Sequence, residues 1–192
     1  MTRDVVFLHS AGRQPDSLTG LVNALPGEVR PWLANLTGQS LDEQLRTVES
    51  LLDKHELRDV DVVGFGTGAA VAVRLAARQP HRIGRLVLVS PLLHADEKRV
   101  KAARRALKIL PGVLLRRRGV DKQEALARLE ENPAAELAGV RAPTLVLADA
   151  ATLRQAEQTR AGLGHGELRE IEGATGPWWE NDPSRLVAEL NR

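Results

Sequence analysis

Residues 60–77, VDVVGFGTGAAVAVRLAA, decide how the rest of this 192-residue chain is read. Val60, Val62 and Val63 form a short β-branched run that reads as a strand. Gly64, Gly66 and Gly68 follow at every second position, which suits a sharp turn with close backbone approach. Residues 69–77 are small and apolar almost all round, the composition of a helix buried against a sheet. Strand, glycine turn and buried helix hold a nucleophile in one kind of enzyme and a pyrophosphate in another.

Working outward, residues 5–8 give an apolar strand that ends in His9-Ser10-Ala11-Gly12. Asp16 or Ser17 is expected to cap a helix over residues 18–25, closed by Pro26-Gly27. Residues 28–33 are less apolar and contain Pro31, which places a weaker strand at the sheet edge. Ser40 and Glu43 spell a capping box, and Leu41, Leu45, Val48, Leu51 and Leu52 keep helical spacing to about His55. After the central stretch, Pro80 stops the helix and residues 83–90 supply another strand.

Residues 92–139 interrupt the alternation with a basic helix, Pro111-Gly112 and a helix opened by Asp121. Residues 144–149 form the next strand, 152–161 a helix ended by Gly162 and Gly164, and 168–171 the last strand. Asp182-Pro183 opens the terminal helix. Six strands alternating with helices predict an α/β fold with a doubly wound, mostly parallel six-stranded sheet. The expected strand order is 2-1-3-4-5-6, with a ligand site where that order reverses, between His9–Gly12 and Gly64–Gly68. We expect a single domain over 1–192, with 92–139 as a helical cap insertion.

Composition bounds the chemistry. The chain has no cysteine, so disulfides and thiolate catalysis are excluded. No apolar run reaches transmembrane length, and Arg3-Asp4 lead directly into VVFL, so a cytoplasmic location is expected. The net charge is only +2, but Lys98–Arg118 holds nine basic residues and no acidic one, leaving −7 on the other 171. That segment suits an acidic protein or carrier partner, an anionic lipid or an anionic ligand under the cap; it equally suits a solvated helix face. No aromatic residue interleaves its cations, which argues against nucleic acid.

The chain resembles the α/β-hydrolase family over nearly its whole length. FLHSAG resembles the family's first site strand and oxyanion loop. VVGFGTGAAVAVRLAARQPHRIGRLVLVSP resembles the nucleophile elbow, its helix and the next strand, APTLVLAD the strand leading to the acid, and GATGPWWENDP the histidine loop. The resemblance implies a Ser-His-acid triad on a G-x-S-x-G elbow. Aligned on Gly64 and Gly68, the nucleophile position is Gly66; counting back from Pro183 puts the histidine at Gly176, and the acid position falls near Ala151. Neither glycine has a side chain to offer, and the triad works as a unit.

A shifted register would make Thr67 the nucleophile but puts bulky Phe65 where the turn needs a small residue. The formal G-x-G-x-x-A match at Gly64–Ala69 favours a dinucleotide, yet the following strand ends in Val89-Ser90-Pro91, without the acid that would hold a ribose.

The remaining candidates carry two readings each. His9 is either a base or a loop histidine that positions the oxyanion-type backbone; His94 lines the pocket or sits exposed on the cap. Asp149 is an acid or base, or caps the following helix. Trp178 and Trp179 wall the pocket or pack the last loop. No histidines have metal-ligand spacing, so no metal or other cofactor is expected. A small-molecule or acyl ligand would meet His9, Ser10, Ala11, Gly66, Thr67, Ser90, Thr175 and Trp178. The reading that follows is a protein without a working triad, binding such a ligand or carrying out isomerase-, epimerase- or cyclase-type proton transfer. The alternatives are an interaction module using the basic cap, and an esterase or thioesterase with a non-standard nucleophile.

Overall fold

A computed structural model describes residues 2–36, 40–94, 101, 105, 109 and 132–191. Its centre is a six-stranded parallel sheet in the order β2-β1-β3-β4-β5-β6, the order expected from the sequence. The strands are β1 (Arg3–Leu8), β2 (Val29–Ala34), β3 (Val60–Phe65), β4 (Ile83–Val89), β5 (Thr144–Ala148) and β6 (Glu167–Glu170). Pairing of Leu8 with both Ala34 and Gly64 brings the carboxyl ends of β1, β2 and β3 level. The reversal of strand order lies there, between β1 and β3.

The central strands are apolar over residues 5–8, 62–65, 86–89 and 144–148 apart from Thr144, because both faces are covered there. One face carries α2 (Leu41–Lys54), α3 (Gly68–Arg78), α4 (Leu153–Leu163) and a 3-10 helix, Pro133–Gly139. The other carries α1 (Thr19–Ala24), α5 (Trp178–Asn181) and α6 (Pro183–Leu190). Alternation along β1 shows the division: Val6 and Leu8 join the first core, Val5 and Phe7 the second.

Helix α3 is buried at every position from Gly68 to Ala76. A Cβ on Gly64 would lie 2.7 Å from the Ala69 Cα, and one on Gly68 would press on the carbonyls of Leu8 and His9. These two glycines therefore let β3, α3 and the end of β1 meet at backbone distance. Arg74 is the one charged residue in that buried run. Its Nε donates to Glu136 at 2.6 Å and its Nη1 to Asp42 at 2.8 Å, pinning α3 to α2 and to the 3-10 helix.

Several boundaries follow their local chemistry. The Ser40–Glu43 capping box forms in both directions, satisfying two donors at the start of α2. Asp182 accepts from the Arg185 amide and opens α6. Neither Asp16 nor Ser17 caps α1, however. Pro15 starts a 3-10 turn, Pro15–Leu18, and α1 begins only at Thr19. Gly162 does not end α4; it lies inside the helix, where a side chain would collide with Leu137, and the stop is Gly164 in the left-handed region at φ +70°. The expected helix opened by Asp121 and most of the basic segment fall outside the described residues.

Candidate functional site

The site is built from strand ends at the reversal point. Between β3 and α3 the chain turns through Gly66 at φ +53°, and Thr67 stands at the N-cap of α3. The Gly66 amide donates to the Val89 carbonyl at 2.9 Å, and the Gly66 carbonyl accepts from the Leu92 amide at 3.0 Å, so the turn is fastened to the end of β4. A Cβ at Gly66 would sit 2.7 Å from Ser10 Oγ and 3.2 Å from Ser10 Cβ. The space beside the turn is thus filled by a side chain from the loop after β1.

Two hydroxyls knit these loops together. The Ala11 amide donates to Thr67 Oγ1 at 2.6 Å, and the Thr67 amide donates to Ser10 Oγ at 3.3 Å. The two oxygens are 3.2 Å apart and share a hydrogen bond. Ser10, Ala11, Gly66 and Thr67 therefore form one cluster. Among the described residues, neither hydroxyl bonds to an imidazole or a carboxylate.

His9 lies directly beneath, 3% exposed. The Leu36 amide donates to its Nε2 at 3.0 Å, which makes Nε2 an acceptor and leaves the proton on Nδ1, bonded to the Ser10 carbonyl at 3.0 Å. Both ring nitrogens are committed to backbone. The imidazole ties the ends of β1 and β2 and fixes the loop that carries Ser10.

A second cluster joins β4, β5 and α5. Ser90, buried and strained at φ +46°, donates to Asp149 Oδ2 at 2.9 Å and accepts from Trp178 Nε1 at 3.3 Å. Asp149 Oδ1 accepts from the amides of Ala151 and Thr152, so the carboxylate also caps the turn before α4. Ala151 itself contributes only backbone. Trp179 packs on Phe65, with ring centroids 5.3 Å apart, and connects this cluster to the strand below the first.

Thr175 and Gly176 are exposed on the last loop. A Cβ at Gly176, φ +60°, would meet nothing within 4 Å. The Trp178 amide donates to the Gly176 carbonyl at 2.9 Å. His94 is half-buried; burial pushes its pKa down, so the neutral imidazole is favoured, and its Nε2 is enclosed without a hydrogen-bond partner among the described residues. Among the described residues, neither Thr175 nor His94 bonds to either cluster. Arg13 pairs with Glu180 at 3.3 Å, bridging the loop after β1 to α5. Within the basic segment only Lys101, Arg105 and Ile109 are described, all exposed and spaced four residues apart in helix.

Sequence reasoning named Ser10, Thr67, Ser90, Asp149 and Trp178 singly but not their pairings. Contacts spanning 57 to 88 residues leave no local signal. Among the described residues, no group of three or more histidine, aspartate and glutamate side chains has a metal-holding arrangement, and no helix is long and apolar enough to cross a membrane.

Sheet order, elbow turn and helix placement define an α/β-hydrolase architecture. The family model for the alpha/beta hydrolase fold matches residues 26–191, and the chain belongs to that family. It is 36% identical over 84 residues to Lipase LipV of Mycobacterium tuberculosis, a match covering 44% of this chain and 31% of that protein. The chain thus matches about a third of the length of that curated relative.

Among solved structures it superposes on MenH from S. aureus with a TM-score of 0.76 at 16% identity, covering 100% of this chain and 93% of the other. The monoacylglycerol lipase of Paleococcus ferrophilus gives 0.74 at 18% identity, covering 98% and 95%. At such identities the structural likeness establishes the fold.

Proposed function

We propose that this protein is an α/β-hydrolase-fold domain without serine-hydrolase chemistry, binding a small molecule or acyl group at the strand-order reversal. The observation that carries the reading is Gly66: the turn keeps a left-handed φ of +53°, but the residue there has no side chain and Ser10 Oγ fills the adjoining space. A serine at such a φ is strained, whereas glycine adopts it freely. The other vestigial positions agree, since Gly176 offers no imidazole and Ala151 no carboxylate.

Non-hydrolytic proton transfer would fall to His94, because both nitrogens of His9 and both carboxylate oxygens of Asp149 are already hydrogen-bonded.

The similarity to Lipase LipV favours a second reading, ester hydrolysis through a non-standard nucleophile. Its candidates are Ser10, Thr67 and Ser90. Ser90 is the only one of the three bonded to a carboxylate among the described residues, and it is 4% exposed.

A thermal-shift panel of short-chain acyl amides, esters and lactones separates the two. A ligand at one hundred times its Kd stabilises the fold by about 2.7 kcal/mol, which for a chain of this length raises Tm by roughly 5–11 °C. Our reading expects at least one such ligand, recovered chemically intact after incubation. Recovery as free acid and alcohol would instead support the hydrolase.

A further inference from the structure

In the family arrangement, the amide after the nucleophile and an amide from the loop after the first site strand point together at a developing oxyanion. In this chain those donors are the Thr67 and Ala11 amides, and both are spent internally. Thr67 donates to Ser10 Oγ, and Ala11 donates to Thr67 Oγ1. The bonds are reciprocal: each loop supplies the acceptor for the other's amide. Ser10 can take this role because Gly66 leaves it the room.

We infer that Ser10 and Thr67 form a hydroxyl latch that closes the anion-binding pocket and sets the ligand preference of this site toward neutral carbonyl groups. Counting protons gives the preference its chemistry. The pair carries two hydroxyl protons, and one is used in the 3.2 Å bond between the two oxygens. One remains to be donated outward. A carboxylate or a tetrahedral oxyanion needs two or more convergent donors to offset its desolvation, whereas the oxygen of an amide, ester or lactone is served by one. Thr67 is exposed, so its hydroxyl is reachable from the open side of the turn. The ligand class rests on the small-molecule reading above; the latch itself does not.

The test uses the full chain, the 15N–1H signals of Ala11 and Thr67, and two probes: methylphosphonate as a tetrahedral oxyanion and butyramide as a neutral carbonyl. In the wild type, methylphosphonate should leave both amides in place, and both should exchange slowly with solvent. In the S10A/T67V variant both amides should exchange at least tenfold faster and shift saturably with methylphosphonate, at an apparent Kd at least tenfold below any wild-type response. T67S, which keeps the hydroxyl, should behave as wild type.

A saturable wild-type response to methylphosphonate as strong as the variant's would overturn the latch, as would a folded variant that gains nothing. If the double variant fails to fold, the wild-type titration and exchange rates decide alone. Butyramide judges the ligand class separately. If it moves neither amide in the wild type while the phosphonate results hold, the latch stands and the acyl-ligand reading falls.

Discussion

Replacing Gly66 by alanine probes the turn with one added methyl group. At φ +53° an alanine pays the left-handed penalty of about 1–2 kcal/mol. Its Cβ also arrives 2.7 Å from Ser10 Oγ, which must rotate away and give up its bond to the Thr67 amide. Losing one such bond costs about 1 kcal/mol. The sum is about 2–3 kcal/mol, or a fall in Tm of roughly 4–12 °C for a chain of this size.

The same substitution made in an S10A background meets no hydroxyl, only the retained Cβ at 3.2 Å, and should cost chiefly the backbone strain, about 1–2 kcal/mol. Urea unfolding of the four proteins in this cycle gives the coupling, expected near 1 kcal/mol in the direction that S10A relieves G66A. Equal costs of G66A in both backgrounds would refute the claim that Ser10 occupies the vacated space.

Two further substitutions test the clusters around the site. Ser90→Ala leaves Asp149 Oδ2 and Trp178 Nε1 without their buried partner and should destabilise by about 1–3 kcal/mol in urea, with the indole fluorescence of Trp178 altered in the folded state. Asp61 on β3 has its pKa raised, chiefly by burial, with Arg3 and Arg85 pulling the other way. A carboxyl whose folded pKa exceeds its unfolded value binds more protons when folded, so its ionisation weakens the fold as pH rises through the folded pKa. Asp61→Asn should therefore be more stable than wild type at neutral pH, with the advantage shrinking as pH falls through that pKa toward the ordinary 3.8. A difference independent of pH would contradict the assignment.

The strand order was legible because composition alone marks it. Continuous apolar runs at β1, β3, β4 and β5 demand two covered faces, and Pro31 pushes β2 to the edge. The capping box at Ser40–Glu43 was equally legible, because its chemistry lies within four residues. Gly162 misled because glycine ends helices more often than it makes room inside them; here its missing side chain admits Leu137 from a distant segment. Arg74 gave no warning within an apolar helix, since its partners come from α2 and from the 3-10 helix Pro133–Gly139.

At the site, the sequence shows glycine at positions 66 and 176, because residue identity is local. It does not show which side chains surround them. That Ser10 fills the space at Gly66, and that Trp178 reaches Ser90, depend on loops brought together only by the folded sheet.

The central claim, that no hydroxyl here is activated for attack, is tested most directly by incubating the folded protein with an alkyl fluorophosphonate and reading the intact mass. The account predicts an unmodified chain after an exposure that saturates a serine hydrolase run alongside. A stoichiometric adduct mapped to Ser10, Thr67 or Ser90 would contradict it.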